Sequence, residues 1–345
     1  MTLGKSRRKA PGEPTLKDVA RQVGCTPGTV SAVLNNSYAA SVISPETKRR
    51  VLAAAKALDY KPNFAARSLR LRRTYTIGVI TEEIGDPYGG MVISGIESLL
   101  TSEKYFFTAV AHRHNRHLLD QYSKILLSRG VEGLITIDTS VWEPFNVPTV
   151  AIAGHHRVKG VTNIVLDHRR AAELALSHLR ELGHRDIAFL RGQPFSSDSS
   201  NRWQSIIEAA KKSRVEIRSD WTAEMQDDDP SPRVGYLLTK ELMSRSPRFT
   251  ALFAYNDISA IGAVRAIQET GARVPNDISV IGFDDIREAA YQSPSLTTIR
   301  QPLRRMGEIA ARAVIDRIEG KQEYPAEIAI EPELVVREST CSCRM

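Results

Sequence analysis

Cysteine is scarce: three in 345 residues, Cys25, Cys341 and Cys343. That excludes a disulfide framework, the spacing fits no four-ligand zinc site, and the count suits a reducing compartment. No apolar run approaches the roughly 18 residues needed to cross a bilayer, and none follows the early basic cluster Lys5 to Lys9. A secretory leader is therefore not expected, no membrane partner is expected, and the chain reads as cytoplasmic. The nucleophile-elbow, phosphate-loop and zinc-deaminase motifs are also missing. Ser259, His184 and Asp257 supply triad residue types, and Asp284-Asp285 could be paired carboxylates. Residue types without a motif do not make a site, so the chain is not expected to be an enzyme or to carry a cofactor. The histidines at 112, 114 and 117 and the pair His155-His156 lack the i, i+4 ligand spacing of a helical metal site, and no metal is expected.

What is present begins with TLKDVARQVGCTPGTVSAVLN, residues 15–35. Leu16, Val19, Ala20 and Val23 fall on one face of a first helix that Gly24 can end. Thr26 can cap a second helix with Pro27 in its first turn, where a missing N–H costs nothing. Val30, Val33 and Leu34 form its apolar stripe. The other face, Gly28, Thr29, Ser31, Ala32 and Asn35, is small and polar enough to approach a duplex. Spacing alone leaves an ordinary helical hairpin equally open.

Charge distribution separates the two readings. Residues 1–74 hold fifteen Lys and Arg against four acids, a net of +11, which leaves −4 for the rest of a chain whose total is +7. A basic end on an acidic body points to a polyanion at that end alone. Residues 1–14 read as a basic tail and 15–61 as the headpiece, whose third helix starts at Ser44-Pro45-Glu46 and carries Val51, Ala54, Ala55 and Leu58 inward. Residues 62–74 read as a hinge with too few apolar residues to hold a helix alone.

From Tyr75 to 340 strand-like runs such as TIGVI, GLITI, TVAIA, DIAFLRG and ISVIGFDD alternate with helical periods, including 170–182, 201–213 and 257–270. Strands without polar alternation, joined through helices, predict parallel sheets covered on both faces. Sites in such sheets lie beyond the carboxyl ends of strands, where the chain has Pro87-Tyr88, residues 193–202, Tyr255-Asn256-Asp257 and Asp284-Asp285. Arg202 can grip hydroxyls or a carboxylate with a planar fork, while Asn256 and Asp284 suit vicinal hydroxyls. Asn256 could equally cap the helix after it. The stretch 196–201 reads as a serine-rich loop, DDDPSP as a surface turn, and 341–345 as a short tail.

With these residues in view, 15–340 resembles the lactose/galactose-repressor family of bacterial transcription regulators. TLKDVARQVG with TVSAVLN resembles the family headpiece, YKPNFAARSL the hinge, and LDHRRAAELALSHLRELGHRDIAFLRG, YNDISAIGAVRAIQETGARVPNDISVIGFDD and PSLTTIRQP the effector domain. The resemblance implies an all-α helix-turn-helix headpiece plus an α/β periplasmic-binding-protein-like effector domain of two parallel-sheet subdomains. It implies a homodimeric repressor on a palindromic double-stranded operator, switched by a small polar effector, a sugar or related metabolite. It places Thr15, Thr26, Thr29, Ser31 and Asn35 at phosphate or cap positions, Gly28 and Ala32 toward bases, and Pro27 at the entrance. Leu69 matches a minor-groove wedge supported by Asn63 and Ala66. Tyr88, Arg202, Asn256 and Asp284 match effector positions.

Departures limit the transfer. Ala32 stands where an arginine is frequent and cannot make a bidentate guanine contact. Gly89 lies where a large residue is common, Ser205 replaces a glycine, and Ala153 an acid. The chain ends soon after LVVREST without a leucine heptad, which predicts a dimer rather than a tetramer. Two alternatives stay open: a regulator needing a nucleobase-type corepressor, and a solute-binding protein with no DNA role.

Overall fold

A computed structural model describes residues 14–35, 37–61, 68, 73–226, 229–245 and 249–343. The chain divides into two compact units, residues 1–74 and 75–345.

The first unit holds three helices, α1 (Leu16–Val23), α2 (Pro27–Leu34) and α3 (Pro45–Ala57). Each start carries its own signal. Thr15 accepts from the amide of Asp18 while the Asp18 carboxylate accepts from the amide of Thr15, a reciprocal capping box. Thr26 and Ser44 cap α2 and α3, each followed by proline. Gly24 closes α1 in the left-handed region at φ 72°, where a side chain would be strained. Arg50 of α3 donates to the carbonyl of Val23 at 2.5 Å, placing a cation on the negative end of α1. Val19, Ala20 and Val23, Val30 and Val33, and Val51, Ala54 and Ala55 form the small shared core.

The second unit contains two six-stranded sheets. The first joins β1 (Thr76–Thr81), β2 (Phe106–Ala111), β3 (Gly133–Ile137), β4 (Thr149–Ile152), β5 (Val161–Leu166) and β11 (Glu327–Ile330) in the order β11-β5-β4-β3-β1-β2, with every pairing parallel. The second joins β6 (Ile187–Arg191), β7 (Thr222–Glu224), β8 (Ala251–Phe253), β9 (Ser279–Asp284), β10 (Thr297–Arg300) and β12 (Glu333–Val335) in the order β12-β10-β9-β8-β6-β7. There β12 alone runs antiparallel, against β10. Central strands β3, β4, β5, β8 and β9 are buried along their whole length, which is why their sequences lack polar alternation.

Helices α4 (Pro87–Ser102), α5 (Arg116–Ser128) and α10 (Leu303–Ile318) accompany the first sheet. Helices α6 (His168–Glu181), α7 (Ser197–Ser213), α8 (Arg233–Arg245) and α9 (Asp257–Glu269) accompany the second. The stretch expected as a serine-rich loop is instead the first turn of α7. Ser196 caps it by accepting from the amide of Ser199, and Asp198 meets the positive helix end.

Both subdomains use glycine to bring one helix pair into close approach. A Cβ on Gly95 of α4 would sit 2.0 Å from the Arg304 carbonyl oxygen of α10, and one on Gly307 would sit 2.2 Å from that of Val92. In the second subdomain Gly235 of α8 and Gly262 of α9 play the same part, with carbonyl oxygens of Ser259 and Pro232 at 2.2 and 2.0 Å. Backbone cannot move as a flexible side chain can, so Gly262→Ala must separate α8 from α9. Its expected cost is about 1 to 3 kcal/mol of body stability, the range of core overpacking, read from urea unfolding of the full chain. A midpoint equal to the parent's would show that the helices part freely.

Candidate DNA-binding surface and effector cleft

On the headpiece, the start of α2 is the open surface. Thr26, Pro27 and Gly28 are exposed and Thr29 is half-buried, with the two threonine hydroxyls 3.0 Å apart. Asn35, also exposed, ends α2 and donates its amide to the carbonyl and hydroxyl of Ser31. Ser31 and Ala32 depart from the expected open face, being only 5% and 9% exposed. The chain turns back at this end of α2, with the amide of Ser37 on the Ala32 carbonyl and the 3-10 turn Tyr38–Ala40 beside the helix. Asn63, Ala66 and Leu69 lie outside the described residues.

In the body, the six strands of each sheet, numbered in chain order, are arranged 2-1-3-4-5-6, so the order reverses between β1 and β3 in one and between β6 and β8 in the other. A crevice opens beyond the carboxyl ends of strands at such reversals. One cavity there gathers Tyr88 from the start of α4, Asp138 after β3, Arg202 on α7, Tyr255 and Asn256 after β8, and Asp284 at the end of β9. All four residues singled out for an effector, Tyr88, Arg202, Asn256 and Asp284, therefore line one space.

Arg202 is 3% exposed and fully engaged except at one atom. It donates to the Tyr255 carbonyl and to Asp198, one turn earlier on α7, both at 2.5 Å. Its guanidinium lies 3.8 Å from the ring centre of Phe283 and 4.5 Å from that of Tyr255. Nε is buried without a partner, a donor whose desolvation is uncompensated until something accepts from it. Asn256 caps α9 by accepting from the amide of Ser259, which commits its oxygen and leaves its amide nitrogen as a donor. Asp284 accepts from Gln301 at 2.6 Å through one carboxylate oxygen only.

Asp198 organises this end of the cleft. Its other oxygen accepts from Nε2 of His155 at 2.9 Å and of His168 at 2.8 Å. His155 follows β4 in the first subdomain and His168 opens α6 in the second, so one carboxylate ties the two halves together. Burial alone would raise the Asp198 pKa, but His168, Arg202 and His155 hold it well below the usual range. Burial lowers His168, whereas Asp198 outweighs burial at His155 and raises it. The three ligand atoms lie within 4.8 Å of one another, a spacing a metal could use. Arg202 already supplies the positive charge on that carboxylate and opposes a second cation.

Burial pushes Asp284 well above the carboxylate range, against the lowering effect of Arg202. It also raises Tyr88 and Tyr255, which keeps both phenols protonated as donors.

A model of bacterial regulatory proteins of the lacI family matches residues 15–63, and one of periplasmic binding protein-like domains matches 176–340. The HTH-type transcriptional repressor PurR of Yersinia enterocolitica is 34% identical over 334 residues, 94% of this chain and 96% of that protein. PurR of Serratia proteamaculans is equally similar. Among solved structures, the Lac repressor dimer bound to operator and the anti-inducer ONPF superposes with TM-score 0.84 at 26% identity, covering 95% of this chain and 99% of that one. A complex of the transcriptional regulator CelR with cellobiose gives 0.69 at 28%, covering 94% and 99%. The chain belongs to the lacI family.

It is thus a DNA-binding transcriptional repressor, and its body is the two-subdomain α/β domain of that family. No described helix is long and apolar enough to cross a membrane. In this lacI-family chain the residue types that suggested catalysis are parted by their bonding. His184 bonds Thr250 and the Cys341 carbonyl, Ser259 belongs to the α9 cap, and Asp257 accepts from Thr298 and the Ile286 amide. Asp284 and Asp285 diverge, Asp285 pairing with Arg300 and Arg337. Sequence reasoning passed over Asp138 and His168, and held Asp198 and Tyr255 only as members of the strand-end segments 193–202 and 255–257, without a role of their own. The strand-end rule could have found Asp138 after GLITI, and the i, i+4 spacing could have found Asp198 before Arg202.

Asp138 offers a pH test. Burial, then repulsion from Asp198, raises it from 3.8 to about 6. A raised carboxylate contributes stability fully present below its unfolded pKa and lost as pH rises through the folded value. Across pH 4 to 7 the body should therefore lose stability relative to Asp138→Asn, most of the difference developing by about pH 6. Melting curves of both proteins over that range check the sign. A constant offset would mean that Asp138 titrates alike folded and unfolded.

Proposed function

We propose that the repressor binds a palindromic operator as a homodimer through the α2 surface, and that a small, neutral, polyhydroxylated molecule of the sugar class enters the cleft and sets operator affinity. The observation that carries the effector reading is the convergence of Arg202, Asn256 and Asp284 on one space between two subdomains. Alternating donors and acceptors at fixed positions suit vicinal hydroxyls. Arg202 is the only basic residue among the described residues lining the cavity, against Glu82, Glu83, Asp86, Asp138, Asp198, Asp229 and Asp284. Its charge is taken by Asp198, so a phosphorylated or carboxylated ligand would meet no unpaired cation in the described lining. The dimer reading draws on the likeness to the Lac repressor dimer on its operator. The cleft is read as a regulatory, not a catalytic, site.

Asp284→Asn keeps the shape of the side chain and its acceptor for Gln301. It should weaken binding of the stabilising sugar several-fold in a thermal-shift titration and change operator affinity by less than about twofold, the loss expected for a neutral hydrogen bond of about 0.5 to 1.5 kcal/mol, since burial keeps Asp284 protonated. Arg202→Ala should abolish the response and also cost the body about 3 to 5 kcal/mol, because it strands Asp198. Nucleobases and sugar phosphates belong in the same titration; selective stabilisation by either would replace the sugar reading.

Leu69 is proposed to wedge into the minor groove at the operator centre, where unstacking energy is repaid by a bent duplex. Fluorescence anisotropy at fixed salt should then show Leu69→Ala losing far more affinity for operator than for random duplex. Equal losses on both would remove the wedge.

A further inference from the structure

We infer that the effector is at least two rings long, a disaccharide or comparable glycoside, with its second ring in an adjoining cavity faced by Trp142 and Phe195. The inference rests on the sugar-class reading of the cleft and extends it. Beside the cleft lies a second cavity of about 730 Å³, against about 100 Å³ for the first. Both are lined by Glu82, Asp138 and Ser196, so they form adjoining parts of one groove. The smaller volume is below the roughly 150 Å³ that takes a benzene ring, so a sugar held by the cleft residues must reach toward the larger space. The larger falls in the range of about 300 to 1,000 Å³ usual for small-molecule sites.

The second cavity sets two aromatic faces, a platform for a sugar ring, among charged residues that include Arg116, Asp120 and Glu143. Trp142, in the segment after β3, is 61% exposed, and Phe195, in the segment after β6, is 48% exposed. Each is held by a histidine ring, Trp142 by His156 at 3.9 Å and Phe195 by His114 at 4.1 Å between ring centres. One aromatic surface thus comes from each subdomain, matching the division of polar groups in the cleft. Large exposed aromatic surfaces mark binding sites when they border a concavity.

His112 supplies a polar counterpart. It lines the cavity and is 6% exposed. The Thr139 hydroxyl donates to the Ile137 carbonyl, so it must accept from Nε2 of His112, which fixes the tautomer. Nδ1 is then an acceptor, and it has no partner. Burial lowers His112 to about 4, so the ring is neutral at physiological pH and suits a hydroxyl rather than an anion.

The test compares aldohexoses with their α- and β-linked disaccharides by calorimetric titration of the full-length repressor. At least one disaccharide should bind ten times tighter than either component monosaccharide. Trp142→Ala and Phe195→Ala should each erase that gain and leave monosaccharide affinity unchanged, while Trp142→Phe retains most of it. Both side chains are exposed, so the variants should melt as the parent does. The inference is overturned if monosaccharides bind as tightly as disaccharides, or if the disaccharide gain survives both alanine variants; either result leaves the cleft reading standing. If no sugar of either size binds, the cleft reading itself fails and takes the second ring with it.

Discussion

A single buried carboxylate governs the cleft. Asp198 receives a guanidinium on one oxygen and two imidazole N–H groups on the other. Each partner has a consequence. Arg202 can stay charged while 3% exposed because Asp198 is ionised, and Asp198 can stay ionised because three donors replace its water. With the guanidinium pinned to Asp198 and the Tyr255 carbonyl and stacked near Phe283, its one unengaged nitrogen is fixed before any ligand arrives. A donor already held in place has little rotamer entropy left to lose on binding, which favours affinity without further contacts.

The surrounding architecture makes that precision possible. Two sheets with the same strand order set their reversals at one cleft, and the residues after β1, β3, β6, β8 and β9 arrive there from rigid, fully paired strands. Glycine pairs at α4–α10 and α8–α9 let helix backbones meet where any side chain would separate them. Both subdomains thus resist internal adjustment. Relative movement is left to the segments joining them, which the chain crosses between β5 and α6, between β10 and α10, and between β11 and β12.

Local rules carried much of this into the sequence. Capping residues, prolines and apolar stripes delimited the headpiece helices because those signals act within one or two turns. Unbroken β-branched runs identified the covered parallel strands, and the strand-end rule named Tyr88, Arg202, Asn256 and Asp284, which share one cavity. Long-range facts were less legible. That Asp198 would meet His155 and His168, 43 and 30 residues away, depends on how two subdomains face each other. The burial of Ser31 and Ala32 likewise depends on the chain's return after α2, which helical periodicity does not encode.

Regulation requires an effector to prefer one arrangement of the two subdomains, because a ligand bound equally by both shifts nothing. In the proposed mode the ligand touches Tyr88 and Asp138 from the first subdomain and Arg202, Asn256 and Asp284 from the second. It would favour the arrangement that brings all five within reach. The His155–Asp198 bond spans the same division and favours that arrangement without ligand. Moving a two-state balance from 1:99 to 99:1 takes about 5.5 kcal/mol of differential binding. A bond that has already supplied part of the bias lowers the demand on the ligand, and it also lowers the contrast the ligand can create. The strength of the Asp198 cluster therefore sets both the ease and the depth of the switch, and a longer ligand bridging Trp142 and Phe195 would restore contrast that a single ring could not.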